Sequence, residues 1–100
     1  MRIFVKAEAF ETIISDEEVT RLRDAVGRQI KKIMGSGKLE LGWVAADARS
    51  PMFIFNVDSA AELRDLLGGV ILDHCKVETH PITSFEELGK FFAEHPPGRD

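Results

Sequence analysis

Three stretches of the chain repeat apolar residues at steps of three and four, the spacing that lines one face of an α-helix. A capping box precedes each stretch: a serine oxygen accepts a hydrogen bond from a backbone N–H, and a glutamate three positions on reaches back. The serines are Ser15, Ser59 and Ser84, and we expect the glycine pair at 68–69 to end the second helix. The pattern predicts helices over residues 16–34, 60–67 and 85–94.

Four intervening segments alternate apolar and polar residues, which is the period of a strand with one buried face. The predicted strands cover residues 2–10, 38–46, 52–57 and 73–80. The element order is therefore β-α-β-β-α-β-α, and its first six elements match the ferredoxin-like split βαβ arrangement. We predict an α+β fold: a four-stranded antiparallel sheet with two helices on one face and an extra C-terminal helix.

The length and composition support one globular unit. The chain has 100 residues, of which 44% are hydrophobic and 30% charged, close to the average for folded domains. We expect a single ferredoxin-like domain over residues 1–94. The sequence HPPGRD at 95–100 cannot continue a helix and is expected to be a frayed tail.

Two helices can cover only one face of the predicted sheet. Alternation places these residues beneath them: Ile3, Val5, Leu39, Leu41, Phe53, Phe55, Cys75 and Val77. The other face would carry Phe4, Lys6, Glu8, Phe10, Glu40, Val44, Ile54, Asn56, His74, Lys76, Glu78 and His80. This mixture is too charged for a dry core, so packing against a second copy would bury its apolar members around a cavity. A partly solvated face with scattered apolar residues is the plainer alternative.

Several segments resemble muconolactone isomerase and its relatives: GKLELGWV at 37–44, FIFNVDS at 53–59 and VETHP at 77–81. The resemblance covers residues 1–81 in the order of elements. Those proteins are dimeric α/β barrels, in which two ferredoxin-like protomers pair sheet to sheet and enclose pockets. The resemblance implies a homodimer or a higher oligomer. It also implies cofactor-free proton transfer on a small lactone-like or carbonyl ligand.

Such an isomerase needs an acid–base group near a carbon acid and donors for the developing enolate. Glu8, Glu40 and Glu78 are candidate bases if the barrel interior raises their pKa values. Lys6 and Asn56 are candidates for stabilising the oxyanion. Ordinary cross-strand Glu–Lys pairs at a wet rim are the competing interpretation.

Four further residues are candidate ligand-binding groups. His74 and His80 lie six apart on one predicted strand face, either as groups that titrate near neutral pH or as half-exposed strand ends. Trp43 either packs in the core or lines the pocket. Arg49 either binds a carboxylate as a bidentate donor or is a solvated loop residue.

Composition excludes several classes of function. The single cysteine, Cys75, cannot form an internal disulfide, packs most simply as a small apolar residue, and joins no zinc-type ligand cluster, so no metal or cofactor is expected. The net charge of −4 argues against a nucleic-acid or membrane surface. The early charges exclude a signal peptide and no apolar run is long enough to span a bilayer, so we expect a cytoplasmic protein.

Three functions compete on this fold. The first is a small-molecule enzyme, and the second is a non-catalytic binding or oligomerisation module. The third is an RNA-recognition domain, which shares the βαββαβ order. That domain places aromatic residues in a basic motif that contains glycine, whereas Phe53 and Phe55 lie in RSPMFIF within an acidic chain.

Overall fold

The computed structural model describes residues 1–9, 15–46 and 50–98, and the elements in these ranges follow the predicted order. The first and third helices have the predicted bounds, 16–34 and 85–94. The last strand begins at residue 75, two later than predicted. The elements are β1 Arg2–Ala9, α1 Asp16–Met34, β2 Leu39–Val44, β3 Pro51–Asn56, α2 Ala60–His74, β4 Cys75–Pro81 and α3 Phe85–Glu94.

The strands form one four-stranded sheet in the order β2-β3-β1-β4, and each neighbouring pair is antiparallel. The structure therefore confirms an α+β fold with a four-stranded antiparallel sheet and three helices, compatible with a ferredoxin-like fold. Among the described helices, none is both long and apolar enough to cross a membrane.

The three predicted caps start the three helices. The hydroxyl oxygens of Ser15, Ser59 and Ser84 each accept a hydrogen bond from the backbone N–H three residues on, at 3.2, 3.1 and 3.1 Å. Each bond satisfies a donor that the first helical turn leaves without a partner. Local sequence thus sets where each helix begins.

One face of the sheet packs against α1 and α2 to form the core. Phe55 is its largest fully buried side chain, and Cys75 packs against the core as predicted. The buried hydrophobic residues are Ile3, Val5, Ala7, Ile33, Phe53, Phe55, Val57, Leu63, Leu67 and Ile71.

The first segment of α2 ends at the glycine pair as predicted, and the prediction missed a second helical segment beyond it. Helix α2 runs on to residue 74 with a break at Gly68, where φ is 70° and ψ is 166°. This conformation is open almost only to glycine. Ile71, beyond the break, is 1% exposed, so core packing holds the second segment of α2 in place.

Candidate functional site

The side of the sheet turned away from α1 and α2, here called the open face, carries the candidate site. The residues of β1 that alternate with its open-face residues are buried under the helices. Directly opposed residues of an antiparallel pair point to the same side. The open face therefore includes Phe4 with its partners Ile54 and His80, and Lys6 with its partners Met52 and Glu78.

A β-bulge changes the face of β2. Leu39 pairs with Phe55, whereas Leu41 pairs with the preceding residue, Ile54, so one residue of β2 has no partner. The bulge shifts the alternation by one, which turns Leu41 and Trp43 to the open face. The prediction that Leu41 lies beneath the helices with Leu39 is therefore wrong, and its side chain is 56% exposed.

The same shift reverses the predicted side of Val44. This residue follows Trp43 and pairs with Pro51, which puts it on the side opposite to the open face. Of the two alternatives for Trp43, the core is excluded, because Trp43 is 41% exposed and lies against an open-face aromatic residue.

Three rings form a line across the open face, here called the aromatic row: Trp43 of β2, Phe4 of β1 and His80 of β4. The Phe4 ring centroid lies 6.2 Å from that of Trp43 and 6.2 Å from that of His80. Ile54 lies directly opposite Phe4 in β3, so the row is continuous across all four strands. It gives the centre of the face an apolar surface that ends in a titratable imidazole.

The three candidate carboxylates occupy different surroundings. Glu40 accepts a hydrogen bond from Arg2 Nε at 2.7 Å, an ion pair that the sequence analysis did not identify. Glu8 lies opposite Lys76 near the far end of β1. Glu40 is therefore already paired, although with Arg2 across β3 and not in the neighbouring-strand Glu–Lys pair of the rim interpretation, and Glu8 lies away from the aromatic row.

Glu78 is the candidate carboxylate that adjoins the row. Its Oε2 lies 3.8 Å from His80 Nε2, and Lys6 is its cross-strand partner. The Glu78 and His80 side chains are 49% and 64% exposed. The Glu78 carboxylate thus lies near the imidazole that ends the aromatic row, and Lys6 lies opposite Glu78 on the same face.

The remaining candidates lie elsewhere. The prediction that His74 shares a strand face with His80 is wrong, because His74 belongs to the last turn of α2 and its Nδ1 lies 2.9 Å from the Val70 oxygen. Asn56 is on the open face, where its Oδ1 accepts a 3.4 Å hydrogen bond from the Met1 amino group. Arg49, like Phe10, lies outside the described residues.

A separate shallow groove of about 380 Å³ lies between the end of α1 and the start of α2, lined by residues that include Lys32, Ser36 and Glu62. Lys38 Nζ lies 3.1 Å from Glu62 Oε1 and 4.0 Å from Asp58 Oδ2. The hydrogen bond and charge of Glu62, with the charge of Asp58, raise the pKa of Lys38. This cluster ties β2 to the start of α2, away from the open face.

The open face carries groups that are capable of proton transfer. Glu78 and His80 can take and return a proton, Lys6 can stabilise a negative oxygen, and the aromatic row can hold a flat ligand. Such chemistry requires water to be excluded, and this face is exposed to solvent. Within the described ranges, no three His, Cys, Asp or Glu side chains group as metal ligands would.

No protein-family model matches the chain, and a search among curated proteins found no match.

Proposed function

We propose that the chain is a cytoplasmic, small-molecule-binding protein whose two copies pair through their open faces as a dimeric α/β barrel. The observation that carries this proposal is the aromatic row, which lies uncovered amid Leu41, Ile54 and a ring of charged groups. Exposed apolar surface with a polar rim marks an interface or a binding site. The sequence resemblance to relatives of muconolactone isomerase supports the same architecture.

The open face has an apolar half and a charged half, an arrangement that suits such pairing. Its β2–β3 half carries Leu41, Trp43, Met52 and Ile54, whereas the β1–β4 half carries the charged groups around Glu78. A twofold axis parallel to the strands sets β4 of one copy opposite β2 of the other. The polar half of each copy then faces the apolar half of its partner, and the twofold symmetry makes two equivalent pockets between sheets that lie about 10 Å apart.

Within this pocket we assign proton transfer to Glu78. The carboxylate would remove a proton from carbon next to a carbonyl group and return it at another carbon of the same ligand. Lys6 would stabilise the enolate oxygen, and His80 would hold or relay the proton. Glu78 fits this role better than Glu40, whose carboxylate is bound to Arg2, or Glu8, which lies outside the row.

A non-catalytic ligand-binding or oligomerisation module is the second candidate. It is favoured by the Arg2–Glu40 pair and by the exposure of Glu78 and His80, since surface ion pairs of this kind are common on sheets without catalytic function.

Two substitutions in β2 test whether two copies pair through the open face. Leu41 is 56% exposed on the open face, and Val44 is 53% exposed on the opposite side, so the same change to glutamate forms a matched pair. We expect sedimentation equilibrium at micromolar concentration to show a dimer for the wild type and for Val44→Glu, and a monomer for Leu41→Glu. A compact wild-type monomer would contradict the barrel and its pocket.

The catalytic assignment requires a ligand screen. Small lactones and unsaturated acids are tested for thermal stabilisation and turnover, and each hit is repeated with Glu78→Gln and the control Glu8→Gln. Loss of a general base costs roughly 100-fold or more in rate, which we expect for Glu78→Gln only. Full activity of Glu78→Gln contradicts the assignment, and ligands that bind without turnover favour the non-catalytic module.

A further inference from the structure

Helix α3 carries an apolar face that the described residues of its own chain leave exposed. Phe85, Leu88, Phe91 and Phe92 are 93%, 38%, 53% and 61% exposed, and no residue of α3 is buried. They lie on one side of the helix, and charged residues occupy the other. An amphipathic helix with its apolar side in water needs a second surface.

The three-residue connection from β4 to α3 is fixed by hydrogen bonds. The Ile82 N–H donates to the Arg2 oxygen at 3.0 Å, which continues the strand pairing past β4. The Thr83 hydroxyl donates to the Glu87 carboxylate, and the Ser84 hydroxyl accepts from the Glu87 N–H at 3.1 Å. All three linker residues are therefore held by the strand or by the helix cap.

A matching surface exists at the same end of the fold. Met34, the last residue of α1, is 68% exposed and directly precedes the turn into β2. Lys31 and Lys32 lie in the same last turn, and neither forms an ion pair within the described part of the chain. We call Lys31, Lys32 and Met34 the α1 end. It adjoins β2, three strand spacings or about 14 Å from the edge where α3 leaves the sheet.

The net charge of α3 is opposite to that of the α1 end. Glu86, Glu87 and Glu94 outnumber Lys90 on α3, so the helix is acidic where the α1 end is basic. Opposite charges across an interface favour the correct partner and register.

We propose that α3 is exchanged between two copies of this chain, with its apolar face packed against the α1 end of the partner. The inference rests on the proposed pairing of two copies. A twofold axis parallel to the strands brings the end of β4, from which α3 leaves, next to the start of β2 in the partner, the strand that follows the partner's α1 end.

The area is sufficient for a stable contact. Because a buried Phe side chain removes about 150–250 Å² from water, the exposed parts of the apolar face amount to on the order of 500 Å² per helix. Two helices and the surfaces they cover would then bury on the order of 2,000 Å², which is within the range of specific stable interfaces.

Association measured for two matched variants tests the exchange. Phe85→Glu puts a charge in the apolar face, whereas Ala93→Glu puts the same charge on the other side of α3. We expect the dimer dissociation constant to rise at least about tenfold for Phe85→Glu and to stay unchanged for Ala93→Glu. Far-UV circular dichroism should show the same fold for both, because Phe85 is 93% exposed in its own chain.

Cross-linking then locates the contact. In a Cys75→Ser background, a copy with Met34→Cys is mixed with a copy carrying Phe92→Cys, and we expect a disulfide-linked heterodimer on oxidation. Ala93→Cys in place of Phe92→Cys should give none. A dimer that is unchanged by Phe85→Glu and gives no cross-link overturns the exchange while leaving the open-face pairing intact. A dimer that survives Leu41→Glu but not Phe85→Glu overturns the open-face pairing, and with it the twofold arrangement from which the exchange is argued, while showing that α3 holds the two copies together.

Discussion

Gln29 of α1 donates a hydrogen bond from its Nε2 to the main-chain oxygen of Leu66 at 2.7 Å, at the point where α2 breaks. The break at Gly68 frees carbonyl groups of the first α2 segment from their helical partners, and Gln29 supplies one of the missing donors. The side chain also fills the space above Gly68, since a Cβ there would lie 2.9 Å from Gln29 Cδ. Gln29 thus supplies a hydrogen-bond donor at the break and also fills the space beside Gly68.

Gly68→Ala should destabilise the protein by about 1–3 kcal/mol, because alanine must adopt a conformation with φ 70° and its Cβ meets Gln29. Gly69→Ala is the control. Its nearest contact is Asp73 Oδ2 at 3.7 Å, and replacing a glycine within a helix adds up to about 1 kcal/mol of stability. Urea denaturation of the two variants measures both effects, and an equal midpoint for the two would contradict this account of the break.

Gln29→Ala should cost about 1–3 kcal/mol, since it leaves the Leu66 oxygen without its donor in a partly buried position. The same change removes the atoms that oppose a Cβ at residue 68. Gly68→Ala should therefore cost less in the Gln29→Ala background, with a coupling of about 0.5 kcal/mol or more in a double-mutant cycle. Strict additivity would show that the contact between Gln29 and Gly68 contributes nothing.

Ser59→Ala should lower the free energy of unfolding by about 1 kcal/mol, the usual cost of a lost N-cap at a helix that belongs to the core. Ser84→Ala removes the same kind of bond from α3, no residue of which is buried. In dilute protein below the dimer dissociation constant, Ser84→Ala should reduce helical content while leaving the denaturation midpoint unchanged. Equal midpoint shifts would indicate that α3 packs on its own chain.

Burial raises the pKa of the Cys75 thiol above its usual value of 9.0. Its proton is therefore held more tightly in the folded state, so this group contributes stability below pH 9 that is lost as pH rises through the folded pKa. We expect the urea midpoint of the wild type to fall more between pH 8 and pH 10 than that of Cys75→Ala. Lys38, whose pKa is also raised, titrates above 10.5 and does not affect this window. A parallel pH dependence in the two proteins would contradict the assignment.

Local sequence determined the order of the elements and the starts of the helices. A capping serine directly precedes its helix in the chain. Ser15, Ser59 and Ser84 therefore each act through a hydrogen bond with the residue three positions on. Alternation likewise identified both faces of β1 and β3, where Phe4 and Ile54 lie on the open side and Phe55 in the core.

Tertiary structure decided the features that depend on residues distant in the chain. The bulge in β2 depends on how that strand registers against β3, and it alone brings Trp43 to Phe4 across the open face. At Gly68 the local stop signal does break the helix, but burial of Ile71 holds a second helical segment beyond the break, which places His74 in α2 and not in the sheet. Sequence spacing specifies contacts along the chain, whereas strand register and core burial are set by partners distant in sequence, and the candidate site is made of such contacts.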